Sequence, residues 1–321
     1  MSRYIFNRIL WMIPIIMGVA ILVFSLLYFA PGKPEELILG SHATEEAYTA
    51  KRIELGLEDP YLVRLSRFLK EAFLEFDFGS SWFTRIPIIH TIAERLPRTM
   101  LLTLCTFLFS YGIGIPLGII AATHQNKWQD TASMLVALTG VSLPNFWLAL
   151  ILVLVFSVKL SWLPAMGIGG LQYYILPALS GCFSSLAICA RQTRSSMLDV
   201  IRSDYITTAR SKGVPERHVI TRHAFKNAVI PIITMAGGDF GSLLGGMMVI
   251  ETIFSIPGMG IFIVNAVNTR DYPAVQGGAL FLAITFSVIM LLVDLLYAAV
   301  DPRIKAQYSS QNKARRKRAN V

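Results

Sequence analysis

The chain has 321 residues, 54% of them hydrophobic and only 15% charged, with a mean hydropathy of +0.56. Soluble domains carry about 25% charged residues, so this composition excludes an ordinary cytosolic globule and indicates a chain built for lipid. The formal net charge of +9 would suit a nucleic-acid binder, but the placement of the charges accounts for it without one.

A bilayer core of about 30 Å is crossed by about 20 apolar residues in a helix. In chain order, six runs qualify: Ile9 to Phe29, Thr99 to Ala122, Ala132 to Phe156, Tyr174 to Ala190, Ala228 to Ile250 and Gly277 to Ala299. The fourth is diluted by Pro177 and several serines and glycines. Helices are expected throughout, because a backbone facing lipid has to satisfy its own hydrogen bonds and no alternating barrel pattern is present. The first run follows Arg3 and Arg8, as the core of a secretory signal would. It exceeds the usual length of about 7–15 residues for such a core, and "LLYFAPG" has no A-x-A-like cleavage site, so retention as a span is expected.

Between the first two runs lies a long polar segment, from "PGKPEE" to "DFGSSW". Within it Leu62, Leu65, Phe68, Leu69, Ala72 and Phe73 recur at helical spacing, which predicts amphipathic helices on the outer membrane face or on the bundle. Residues 1–95 thus read as one unit, 96–300 as a core of five spans, and 301–321 as a basic tail whose expected neighbour is membrane lipid. With the amino terminus inside, the inner segments hold Arg3, Arg8, Lys127, eight Lys and Arg between Arg191 and Lys226, and seven from Arg303 onward. The short outer loops hold only Lys159 and Arg270. This positive-inside asymmetry predicts an all-α membrane protein of six transmembrane helices with both termini cytoplasmic, and it needs no nucleic acid.

Enzyme signatures are missing. The chain contains no G-x-x-x-x-G-K-[ST] phosphate loop, no H-E-x-x-H and no G-x-S-x-G. His218 and His223 are the closest pair of histidines, five apart and off the spacing that puts two ligands on one helix face. Cys105, Cys182 and Cys189 fall inside apolar runs and read as packed thiols. No catalytic and no metal site is therefore expected. Two carboxylates stand within the runs. Asp239, near the middle of the fifth, is expected to face a water-filled path or a partner helix, and Asp294 to reach the inner interface or cap a neighbour. Gly237, Gly241 and Gly245, with Gly238 and Gly246 beside them, form a small-residue ridge suited to close helix contact, either fixed or sliding.

Residues 191–228 form a long charged insert between the fourth and fifth runs. Met197, Ile201, Tyr205 and Thr208 repeat at three to four residues, which predicts that the fourth helix continues out of the membrane with one apolar stripe. Gly213 is expected to end it in the left-handed conformation, with Arg210 and Lys212 suiting the negative end of the dipole. Pro215 is placed to begin a second helix. Small residues at this corner, Thr207, Thr208, Ala209, Ser211 and Gly213, suggest a docking knob, against the alternative of a solvated basic face.

At this insert the chain resembles the permease subunits of binding-protein-dependent ABC importers, whose inner loop runs E-A-A, three residues, G, nine residues, I-x-L-P. The matching positions are Thr207, Thr208 and Ala209, then Gly213; the first two depart from the pattern, and Pro231 closes it about five residues late. "TARSKG", "DFGSSW", "PIIHTIAERLPRTMLLTL", "SLPNFWLALILVLVFSVKLSWLPAMG", "ETIFSIPGMG", "RDYPAVQG" and "VDLLYAAVDPRIK" are similar to the B-type subunit of the dipeptide, oligopeptide and nickel branch, from Asp77 to Lys305. The resemblance implies the type I ABC importer permease fold in the inner membrane of a prokaryote. It also implies a coupling helix held in a cleft of a cytoplasmic ATPase, with Tyr205, Thr208, Ala209, Arg210, Lys212, Gly213 and Pro215 in contact. A second permease subunit, two ABC ATPase subunits and an extracytoplasmic binding protein would complete the assembly. ATP and magnesium would belong to the ATPases, with no cofactor bound by this chain. Asp239, Gly237, Gly241 and Gly245 would lie on the translocation path or its helix packing. Short peptides are the implied cargo, with nickel chelates or glutathione-like molecules as alternatives. An ion-coupled transporter would instead want a counterpart to Asp239 in the first three runs, and there is none. A membrane enzyme would want a catalytic cluster.

Overall fold

Apolar length decides the architecture. The structure is a computed structural model that describes residues 2–40 and 42–300. The expected basic tail, 301–321, lies outside the described residues. Helix α1 (Ser2–Phe29) leads to three short outer helices, α2 (Pro34–Leu39), α3 (Glu45–Glu54) and α4 (Tyr61–Lys70), the last continuing in a wide turn to Glu75. The long α5 (Ile88–Thr123) follows, then α6 (Trp128–Ser142) and α7 (Asn145–Leu152), which winds on loosely to Lys159. Next come α8 (Gln172–Ile201), the short α9 (Asp204–Ser211) and α10 (Glu216–His218), α11 (Phe225–Ile253), α12 (Met259–Thr269) and α13 (Tyr272–Val300). Five stretches are continuous, long and apolar enough to cross a membrane, and the α6–α7 pair makes a sixth if its bend is counted within one span.

That bend corrects the expectation of a single helix from Ala132 to Phe156: α6 and α7 meet at 100°. The residue before a proline is pushed out of the helical region by the ring, and Leu143 before Pro144 is extended at φ −92°, ψ 128°. Pro97, Pro116, Pro177 and Pro231 all stay inside helices, so a proline alone does not set the break.

The centre of the bundle is the α5–α8 pair. Without a hydrophobic drive between helices in lipid, close approach rests on small residues. A Cβ on Gly114 would lie 2.9 Å from the Leu186 carbonyl oxygen, and one on Gly118 would lie 2.6 Å from that of Ala190. The buried hydroxyls of this seam return to their own helix: Thr103 donates to the Thr99 carbonyl and Thr106 to that of Leu102, while Ser110 reaches across to the Cys182 carbonyl at 3.0 Å.

The outer segment lies on the bundle. Phe68, Leu69, Ala72 and Phe73 pack against Ala20 of α1 and Leu280 of α13, and Tyr61 meets Ser25 at 2.8 Å and the Phe24 ring at 5.6 Å. Leu62, expected on the same stripe, is 73% exposed and points away.

Candidate functional site

The charged insert folds into a capped corner on the cytoplasmic side. The fourth helix does not run on to Gly213 as expected. It stops at Ile201, because Ser203 adopts extended backbone and turns its hydroxyl back to the Val200 carbonyl at 2.6 Å. A new helix, α9, starts at Asp204. The break rotates the stripe: Tyr205 is exposed, while Ile206 and Ala209 are buried at 0% and 9% exposure. These two sit with Met197 of α8, Ala122 of α5, Ala228 of α11, and Val219 and Ala224 of the turn between α10 and α11. The corner is therefore an independent short helix seated across the inner ends of three membrane helices.

Gly213 has φ +74° with nothing within 4 Å of where a Cβ would stand. Its N–H bonds the Arg210 carbonyl at 2.9 Å and the Val214 N–H bonds that of Ala209 at 3.3 Å, the paired closure of a Schellman motif. Val214 completes it by joining the same apolar cluster as Ala209. Arg210 then clasps Glu216 across the corner with two bonds, 2.6 and 3.1 Å. Pro215 stands just before the first turn of α10 rather than in it. Of the residues that the resemblance assigned to an ATPase, Tyr205, Thr208, Arg210, Lys212, Gly213 and Pro215 are exposed on one projection. Ala209 is not: it faces the chain's own helices, which removes it from any outward surface. The Tyr205 hydroxyl is also engaged, accepting from Asn227 of α11 at 2.9 Å.

A second feature ties this corner to the bundle and had no signal in the local sequence pattern. Arg194, about two turns before the end of α8, donates twice to Asp130 of α6, both at 2.7 Å, and the Asn126 N–H donates to the same carboxylate at 3.0 Å. Asp130 is buried. Arg202 reaches Gln125 at 3.2 Å. The α5–α6 turn and the stalk of the corner are thus bolted together by a buried charge pair.

Within the membrane, Asp239 of α11 receives the Ser185 hydroxyl of α8 at 2.9 Å. Its other oxygen is buried without a hydrogen-bond partner, as is the Tyr111 hydroxyl. Gly237 abuts Val293 and Gly241 abuts the Phe286 ring, so these two make the close α11–α13 contact. Gly245, like Gly238 and Gly246, meets nothing within 4 Å and leaves open space. Asp294 pairs with Arg8 of α1 near the inner face. The three cysteines are free thiols, and no trio of metal-binding side chains is assembled among the described residues.

Besides Glu35, which pairs with Arg52, the outer end holds two buried carboxylates that a reading by apolar runs passes over. Glu251, 0% exposed, accepts the Thr99 hydroxyl at 2.5 Å and the Ile261 N–H at 3.0 Å, while Thr99 accepts the Met259 N–H at 2.8 Å. The carboxyl thereby accepts a free amide at the start of α12 and locks it to α5. Asp271 likewise accepts the Ser81 hydroxyl at 2.5 Å and the Trp82 N–H at 3.2 Å, holding the outer segment to α13. The available signal was an acid directly after an apolar run, followed by "IPGMG", whose free amides need an acceptor.

Comparison with known proteins fits this arrangement. Residues 114–306 match the family described as binding-protein-dependent transport system inner membrane component, and residues 1–103 match its N-terminal companion family. A putative peptide transport system permease protein of Brucella abortus is 44% identical over 313 residues, covering 95% of this chain and 99% of that protein. The glutathione transport system permease protein GsiC of Salmonella paratyphi A is 41% identical over 305 residues, with the same coverage. Among solved structures, an inward-facing MetNI methionine ABC transporter superposes with a TM-score of 0.58 at 15% identity, over 67% of this chain and 98% of the compared one; this likeness concerns the fold.

Proposed function

The chain belongs to the binding-protein-dependent transport system inner membrane components, and from that premise we propose that it is one of two permease subunits of an ATP-driven importer of short peptides across the bacterial inner membrane. The observation that carries the reading is the corner at Gly213, a short helix seated on the inner ends of three membrane helices with an uncluttered exposed face. A generic inner loop has no need of such a seat. A knob gripped from the cytosol does, because force applied to it passes directly into α5, α8 and α11. In this reading two cytoplasmic ATPase subunits hold ATP and magnesium, a sister permease completes the path, and an outer binding protein delivers cargo. Closure of the ATPases swings the corner and rocks the bundle between inward and outward access. The chain itself performs no chemistry on its cargo.

Peptide cargo follows from the relatives' names, and a glutathione-type tripeptide fits the same class. The test is reconstitution of the chain with its co-purifying subunits in proteoliposomes, with labelled dipeptide and a binding protein outside. Uptake that needs internal ATP and survives collapse of ion gradients is the expected result; uptake that follows the ion gradient and ignores ATP would overturn it.

A further inference from the structure

The outer segment and the start of α13 enclose a pocket of about 140 Å³, floored by Phe24 and Phe68 and walled by Trp82 and Tyr272, whose rings lie 5.3 Å apart. Its rim carries both signs of charge. Two of its four charges are engaged: Arg67 pairs with Asp59 at 2.6 Å, and Asp77 accepts the Gly79 N–H at 2.8 Å. Two are not. Arg64 lies over the Tyr28 ring at 5.2 Å and gives one bond to the Leu57 carbonyl at 3.3 Å, yet it has no ion-pair partner among the described residues, and neither does Glu71. Both are partly buried. Burial holds the Arg64 guanidinium below its usual range and the Glu71 carboxyl above its own, so each charged form would gain from an opposite charge brought into the pocket.

Seven residues separate the two along one helical stretch, an axial offset of about 10 Å. An extended peptide of two to three residues spans roughly 7–10 Å between its termini. We propose that this pocket binds a short zwitterionic peptide on the outer face, with Arg64 receiving the terminal carboxylate and Glu71 the terminal ammonium. The aromatic floor and walls accept the peptide's side chains. The proposal rests on the reading of the cargo as short peptides, and it places a second peptide site away from the central path, at the seam between the outer segment and the bundle.

The experiment uses the whole permease–ATPase complex in lipid nanodiscs without the outer binding protein, titrated with labelled Ala-Ala, Ala-Ala-amide and N-acetyl-Ala-Ala. Ala-Ala should bind about tenfold more tightly than either blocked form, the worth of one charge-assisted bond. Arg64→Gln should weaken Ala-Ala about tenfold and leave Ala-Ala-amide unchanged; Glu71→Gln should weaken Ala-Ala and leave N-acetyl-Ala-Ala unchanged. A variant that loses all three ligands is replaced by Arg64→Lys or Glu71→Asp, which must recover the preference for Ala-Ala. Absence of saturable binding, equal binding of the three ligands, or failure of that recovery overturns the pocket. Should the complete importer still take up Ala-Ala with ATP in such a case, only this inference falls; if it takes up no peptide at all, the cargo reading falls with it.

Discussion

Substituting arginine at neighbouring positions of α9 separates the seat of the corner from its outer face. Ala209 packs inward at 9% exposure beside fully buried Ile206, whereas Thr208 is exposed and spends its hydroxyl on the Asp204 carbonyl at 2.9 Å. In Ala209→Arg the guanidinium has either to enter an apolar cluster, at a cost of several kcal/mol, or to lift α9 away. Lifting uncovers Ile206, whose burial is worth about 2–3 kcal/mol, a docking preference of about 30- to 150-fold that the buried guanidinium outweighs, so undocking is the cheaper route and the undocked form predominates. Thr208→Arg disturbs no packing and should leave stability within about 0.5 kcal/mol. Chymotryptic cleavage at Tyr205 of the purified complex reads the docking, and ATP-driven uptake reads the function. Cleavage should accelerate in Ala209→Arg alone, while uptake is lost in both. An Ala209→Arg protein that resists the protease like wild type would refute the reasoning, as would a Thr208→Arg protein that transports normally.

Three further outcomes follow from buried contacts. Glu251→Ala strips the start of α12 of its acceptor and leaves the Thr99 hydroxyl and Ile261 amide unsatisfied, a loss of about 3 kcal/mol that should lower the unfolding temperature by about 6–12 °C, with Glu251→Gln losing less; an unchanged transition would contradict the capping role. Arg194→Ala leaves Asp130 charged and buried and should destabilise the complex by about 3 kcal/mol, while the double change Asp130→Ala with Arg194→Ala should cost less than the two single changes combined in a thermal-shift cycle. Gly241→Leu should separate α11 from α13 at Phe286, whereas Gly245→Ala, with open space around it, should be neutral; comparable yields of folded protein from both would show that the contact is dispensable.

The spans were legible because apolar length and charge placement report directly on the membrane, and the cap at Gly213 because a left-handed residue after a basic turn is a local device. The remainder depended on partners far along the chain. Pro144 stands at a break while Pro116 and Pro231 lie inside their helices, so residue type alone carries no signal for the bend. The turn of the stripe at Ser203, which exchanges Tyr205 for Ile206 and buries Ala209, comes from a seat made by three other helices. Asp130 and Arg194 are 64 positions apart, and Thr99 and Glu251 are 152 apart, so neither pair leaves a local pattern. The ridge of glycines was visible in full, yet only Gly237 and Gly241 meet α13, since one helix face cannot serve all five.

The central claim is that the corner at Gly213 is where nucleotide energy enters the bundle. A cysteine placed at the exposed position beside it, Lys212→Cys, should crosslink to a nucleotide-hydrolysing subunit in cells engaged in peptide uptake, and the crosslink should arrest that uptake. If the corner captures no such subunit while transport continues, force reaches the bundle by another route and the account fails.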